Sequence, residues 1–406
     1  LADDPRQHVK RRRGYYDGIL LLPADPVSLS ANRLFTREAF REYASALRSN
    51  GLFSFSLTGT ENYLGDEMEQ TLLSAHRTAR AIFPGVFAIP GDPVTFWCSP
   101  NAAALATDPE RLATRFADRS IVTSSFSTHS FRNLLLPFRV DELHRWLQRS
   151  IPVSENSDLK PTAFTQQLRL WNVYTDSGIG PLLTRALALT TGHFALGLTG
   201  LLLLLLIGQR LLAATGRETL TIHACAGISG SVGILLELAL IFLYQVRCGA
   251  LFHLLALFFG LYMCGLALGA GLAGRCRALT GWELPVTKIG QVLAVFLGGL
   301  AVLSPAEFTG WCTGSAIFLF ALLAGFEFAI LDRLLRERGT QAGRSAGALL
   351  LSDNGAAVCA AVLSGPILLP TAGIFGTLQI ALVALLGNLL LVLFGLSPTN
   401  QQTSKA

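Results

Sequence analysis

Past residue 180 the sequence turns from mixed and charged to nearly continuous Leu, Ala, Gly, Val and Phe, and this change constrains the fold most. A helix needs roughly 20 apolar residues to cross a hydrocarbon core about 30 Å thick. Stretches of that length recur near 183–207, 222–246, 250–274, 286–304, 311–331, 346–369 and 372–396, so residues 181–406 read as a polytopic α-helical membrane domain of about seven spans. The whole-chain figures of 51% hydrophobic and 15% charged average two unlike halves. The mean hydropathy of +0.47 belongs to the second. Gly260, Gly265, Gly269 and Ala273 bring a small-xxx-small spacing that lets helices approach closely in lipid, which predicts a packed bundle.

Arg210, Arg217, Arg275, Arg277, Lys288, Arg333, Arg336, Arg338 and Arg344 fall in the first, third and fifth connections between these stretches. The excess of Lys and Arg places those connections on the cytoplasmic side. With seven spans the N-terminal part then lies outside, whereas a cytosolic enzyme domain requires the reverse. The reading that resolves the conflict is a first stretch, 183–207, that does not cross.

Ahead of the apolar half, residues 15–96 alternate strand and helix. Gly18-Ile19-Leu20-Leu21-Leu22 is an apolar, strand-like run that stops at Pro23 and delivers Asp25 into a loop. Thr36 is a plausible N-cap for a helix over 36–48, ended by Ser49-Asn50-Gly51. A β-rich run at 52–57, a helix over about 65–82 ended by Pro84-Gly85, and strands at 86–89 and 95–98 complete the pattern. Strand–helix alternation of this kind predicts a parallel sheet with crossover helices, and residues 1–100 are its extent. Residues 101–180, with helices near 108–117 and 140–149, read as a helical extension and connector.

A net charge of +5 with scattered arginines gives no nucleic-acid footprint. Of seven cysteines only Cys98 lies in the first half, and none forms a CxxC pair or sits near histidines at zinc-ligand spacing, so no metal site is expected. His193, His223 and His253 read as interfacial or packing residues. The chain begins at Leu1 with neither methionine nor a signal-like segment, and reads as shortened at its N-terminus.

Tyr16-Asp17-Gly18 through Asp25-Pro26-Val27, followed by Asn32-Arg33-Leu34-Phe35-Thr36-Arg37-Glu38-Ala39-Phe40, resembles the spermidine synthase (polyamine aminopropyltransferase) family. The likeness continues through Gly51-Leu52-Phe53, Glu61-Asn62-Tyr63 and Phe83-Pro84. Gly227-Ile228-Ser229-Gly230 with Glu237, the run 259–269, Gly325-Phe326-Glu327-Phe328 and Asp353-Asn354-Gly355-Ala356 are similar to the membrane segments of fused, membrane-bound members. The resemblance implies a partial Rossmann-like, methyltransferase-type α/β half-domain ahead of the membrane helices. It also implies aminopropyl transfer from decarboxylated S-adenosylmethionine to a diamine, without a metal or a tightly bound cofactor. The amine reacts only unprotonated, so a carboxylate must take its proton.

On the family's pattern Asp4 stands where an acid contacts the adenine, and Asp25 is the second acid of the Asp-x-x-Asp loop. The first acid, the proton acceptor, falls on Leu22. Leucine holds no proton, and an amine facing it loses its counter-charge. The family's Gly-rich nucleotide turn, upstream of Asp4, is not in the sequence. Glu61 and Tyr63 are candidates for the same cleft, and an ordinary polar turn explains them equally. The expectation is therefore a protein without normal aminopropyltransferase turnover.

Glu237, Glu327 and Asp353 fall inside apolar stretches, where an ionisable group costs about 2.5–3.5 kcal/mol to insert. Interhelical hydrogen bonding for assembly and contact with an ion, proton or polyamine both remain open for them. The competing function is thus a membrane transport or sensing protein with a degenerate nucleotide-fold domain as its regulator. The implied setting is a bacterial inner membrane, with lipid, polyamine and adenosyl compounds as partners and self-association left open.

Overall fold

Alternation over residues 53–57 places Phe53, Phe55 and Leu57 on one side and Ser54 and Ser56 on the other, the period-two pattern of a half-covered strand. A computed structural model describes residues 4–22, 25–60, 65–151, 153–175, 180–249, 252–276 and 281–396. The chain divides into two compact units, Leu1–Leu187 and Ala188–Ala406.

The first unit runs α1 (Pro5–Lys10), β1 (Tyr16–Leu21), α2 (Leu29–Asn32), α3 (Arg37–Ala46), β2 (Leu47–Leu57), α4 (Asp66–Arg80), β3 (Gly85–Ile89) and β4 (Val94–Ser99). It continues with α5 (Pro109–Asp118), α6 (Thr128–Leu134), α7 (Pro137–Leu147), α8 (Thr162–Thr175) and α9 (Gly180–Leu187). Thr36 caps α3 as expected, its hydroxyl accepting from the Ala39 N–H at 3.2 Å. The helix ends at Ala46, and Ser49-Asn50-Gly51 belongs to β2 rather than to a terminator, opposite an irregularity in β1 between Tyr16 and Gly18.

The sheet order is β1-β2-β4-β3. β1 and β2 are parallel, with Gly18 opposite Leu52 and Leu21 opposite Phe55. The expected all-parallel sheet is corrected at one strand, because β4 runs antiparallel to both β2 and β3. The short loop between β3 and β4 explains it: a hairpin can only return antiparallel, and a parallel neighbour needs a crossover of a dozen or more residues.

Because β1, β2 and β3 step across the sheet in one direction, right-handed crossovers put α3 and α4 on the same face. That face carries the core, where Phe40 meets Phe53 at 5.2 Å between ring centroids and Phe55 stacks on Phe96 at 4.9 Å. The opposite face carries Leu20, Ser54, Ser56, Thr95 and Trp97, none of them buried.

Residues 101–175 are part of this unit rather than a separate extension. Leu143 and Leu147 of α7 and Leu170 of α8 join the sheet's core. Buried Asn156 donates to Phe35 O at 3.0 Å, accepts from Ala163 N at 3.2 Å, and receives Arg37 N at its own carbonyl at 2.8 Å.

The second unit contains α10 (Thr191–Leu211), α11 (Ala214–Cys248), α12 (Phe252–Ala273), α13 (Glu283–Leu303), α14 (Ala306–Glu337), α15 (Ala342–Leu363), a π-helical turn (Ser364–Leu368) and α16 (Leu369–Gly395). Among the described residues, six helices are long and apolar enough to cross a membrane, the last running unbroken by hydrogen-bond pattern over Ala342–Gly395. At 1.5 Å per residue such a helix would be about 80 Å long, far beyond a bilayer. It is in fact folded back. Gly373 has φ +74°, a conformation that favours glycine. On α11, Gly227 packs against the Ser352 carbonyl of α15, while the Cys225 carbonyl accepts from Asn388 of α16. The two halves therefore lie side by side along α11, and seven crossing-length segments result.

The first stretch begins later than its composition suggested, at Thr191, because α9 belongs to the other unit. By length and hydropathy α10 qualifies as a span, against the expectation that this stretch does not cross. α11 is the central helix, 72% buried over its apolar window against 11% for α10. α12 lies tightly on α14: a β-carbon at Gly265 would stand 2.8 Å from Phe318 O, and Gly269 and Gly325 likewise meet backbone, whereas Gly260 faces open space.

Candidate functional site

In the sheet unit, the carboxyl ends of β1 and β2 lie side by side, the place where open α/β sheets bind ligands. Asp25 sits in the bend after β1. Its Oδ1 accepts from Thr58 N–H at 2.9 Å and its Oδ2 from the Thr58 hydroxyl, so the carboxylate ties the two strand ends together. Leu22 is 86% exposed beside it. Glu61 and Tyr63 lie outside the described residues.

Asp4 is not at this ledge's disposal. It caps α1 through Arg6 N–H at 3.1 Å and Gln7 N–H at 3.2 Å, and its carboxylate is ion-paired with buried Arg33. Next to it Arg6, to which the sequence assigned no role, is a buried hub. Its guanidinium donates to Glu42 Oε2 at 2.7 Å, to Asp158 at 2.9 and 2.7 Å, and to the Arg33 carbonyl at 2.9 Å. Burial by itself would lower the Arg6 pKa, but hydrogen bonds and charge from Asp158 and Glu42 outweigh it and hold the group above its ordinary value. Both acids named here for chemistry are thus engaged in holding α1, the end of α2 and the strand ends in place.

The helical unit differs. Lys288 and Gln291, three residues apart on one face of α13, meet Glu327 of α14, Ser229 of α11 and Asn388 of α16. Lys288 Nζ donates to Glu327 Oε1 at 2.5 Å, Ser229 Oγ at 2.7 Å and Gln291 Oε1 at 3.3 Å, filling its three donor positions. Glu327 Oε2 accepts from Gln291 Nε2 at 2.7 Å and from Ser229 Oγ at 3.0 Å. Asn388 Nδ2 reaches the Cys225 carbonyl at 3.3 Å and Ser229 Oγ at 3.4 Å, while its Oδ1 is buried without a partner. The side chains of Lys288 and Glu327 are 0% and 2% exposed.

The sequence pointed to Glu327, but Lys288 was assigned to a cytoplasmic connection; it lies inside α13, within the bundle. The signal was there: a lysine and a glutamine at i, i+3 in an apolar stretch have to face polar company. Asp353 approaches α11 from α15, and Glu237 belongs to α11 itself. Gly230 leaves room for the Asp353 carboxylate, and Glu237 is buried within α11 with no hydrogen-bond partner at its Oε1. Among the described residues, no three His, Cys, Asp or Glu side chains converge as metal ligands do.

No protein-family model matches the chain, and no curated protein matches it.

Proposed function

We propose that the chain is a multi-pass membrane protein of the spermidine synthase type, set in a bacterial inner membrane, whose sheet unit does not carry out aminopropyl transfer as the sequence stands. One observation carries this: at the paired ends of β1 and β2 the proton-accepting position holds exposed Leu22, and the neighbouring Asp25 is bonded to Thr58. A diammonium substrate there has no group to take its proton, and without that the nitrogen lone pair cannot attack the carbon next to the sulfonium. The one-sided layer of α3 and α4 supports reading the unit as part of a doubly wound, methyltransferase-type sheet. Ligands of this ledge would be decarboxylated S-adenosylmethionine, its methylthioadenosine product and polyamines.

Purified protein incubated with decarboxylated S-adenosylmethionine and putrescine is expected to release no methylthioadenosine above a protein-free control. Sustained release would overturn the proposal.

A second reading, that the helical unit transports or senses a cation, is favoured by the Lys288–Glu327 centre. An ion pair with no exposure, inside helices fit to cross a bilayer, has a high insertion cost that a purely structural apolar contact would avoid.

A further inference from the structure

Glu237 is 4% exposed with its Oε1 unpartnered, a costly placement for an acid, and the ion-pair centre does not use it. The rest of its helix face explains what surrounds it. Four residues back along α11 is Gly233, where a β-carbon would stand 2.7 Å from the Tyr262 hydroxyl of α12. Seven residues back is Gly230, where a β-carbon would collide with the Asp353 carboxylate of α15. The missing side chains admit two acidic oxygens to the same stripe.

Further along the stripe a β-carbon at Gly227 would stand 3.3 Å from the Ser352 carbonyl, and His223 Nδ1 is 2.9 Å from the Ser352 hydroxyl. His223 lines a cleft of about 420 Å³ with Glu218, Arg338, Arg344 and Ser345. From His223 to Glu237 is fourteen residues, or about 21 Å along the helix axis, two thirds of a hydrocarbon core. The contact points on α11, at 223, 227, 230, 233 and 237, are three or four residues apart, about 4.5–6 Å of axial rise each, with Ser352 standing between His223 and Asp353, and a single bridging water spans such a gap.

We propose that this seam between α11 and α15 is a proton path from the cleft to Glu237, with His223 as entry, Asp353 and Tyr262 as relays and Glu237 as the terminal proton-binding group. The inference rests on the transport reading of the helical unit and names protons as the coupling ion. In each hop one O–H or N–H bond breaks as another forms on the next oxygen; for net flux Glu237 then releases its proton to water on the far side of the bilayer and returns to the carboxylate, while a proton arriving at His223 restores the starting state. The charged and titratable groups around the path are His223, Cys225 and Glu237 of α11, Tyr262 of α12, Lys288 of α13, Glu327 of α14 and Asp353 of α15. Lys288 and Glu327 hold each other and form its fixed wall.

The test uses the full chain in liposomes with an internal pH dye and an imposed pH gradient, with and without external putrescine. Wild-type protein is expected to dissipate the gradient. Glu237→Gln and Asp353→Asn are expected to slow it roughly tenfold or more, the scale of losing a positioned proton-transfer group. Each variant is first shown to elute from size exclusion as wild type does. If putrescine enters but neither the pH gradient nor Glu237→Gln alters the rate, the proton path is wrong and transport stands. If neither protons nor putrescine move, both fall. Acid flux unchanged in both variants also overturns the path.

Discussion

The two units handle buried charge in opposite ways. In the sheet unit, Asp4, Asp25, Glu42 and Asp158 each meet a guanidinium, a hydroxyl or a backbone N–H, and the result is a clamp on the first helix and the strand ends. In the helical unit Lys288 and Glu327 satisfy each other, yet Glu237 Oε1 and Asn388 Oδ1 are buried without a partner. Loops and helix ends supply spare backbone donors, so an acid in the sheet unit is readily satisfied there. Membrane helices use nearly all their own backbone groups internally, so a carboxyl among them needs a side-chain partner or has a task.

Removing one member of the ion pair should break this contrast most sharply. Lys288→Met leaves a buried, unpaired Glu327 and is expected to cost about 3–5 kcal/mol in detergent unfolding. Adding Glu327→Leu to that variant should restore most of the loss, since an apolar pair of similar volume replaces the charged one.

A smaller effect is expected from acid on the sheet unit. Burial, and then the nearby charges of Arg80, His144 and Arg77, push the His76 pKa down to about 4. Unfolding returns it to its ordinary value near 6.5. The unfolded chain therefore binds a proton that the folded one refuses, and stability falls as pH drops from about 6.5 to 4. The loss is on the order of 3 kcal/mol, and His76→Phe should flatten that part of the stability curve measured by denaturant titration. Smallest is Thr58→Val, which removes the hydroxyl bond to Asp25 but keeps the backbone bond, at about 1 kcal/mol by the same titration.

Much of this arrangement was legible in the residues themselves. The Thr36 cap, the pairing of 18–22 with 52–57 and the apolar segments follow from local pattern and length, which sequence carries directly. β4's reversal depended on hairpin connectivity, and the place of Asp158 beside Arg6 on a contact 152 residues distant in the chain. The first leaves a local trace in the four-residue connection 90–93, too short for a parallel crossover, and the second leaves none. Lys288 was misplaced because a lysine near the start of an apolar stretch reads as its flank. Only the facing helix shows that Glu327 awaits it.

The central claim is that the acids of the sheet unit are structural and that Glu237 is not. Unfolding midpoints of Asp4→Asn and Glu237→Gln, measured side by side in the full protein, test it most directly. The account predicts that Asp4→Asn costs about 2 kcal/mol by leaving Arg33 without its charge partner, while Glu237→Gln leaves the midpoint unchanged or raises it. A loss for Glu237→Gln as large as that for Asp4→Asn would contradict the account.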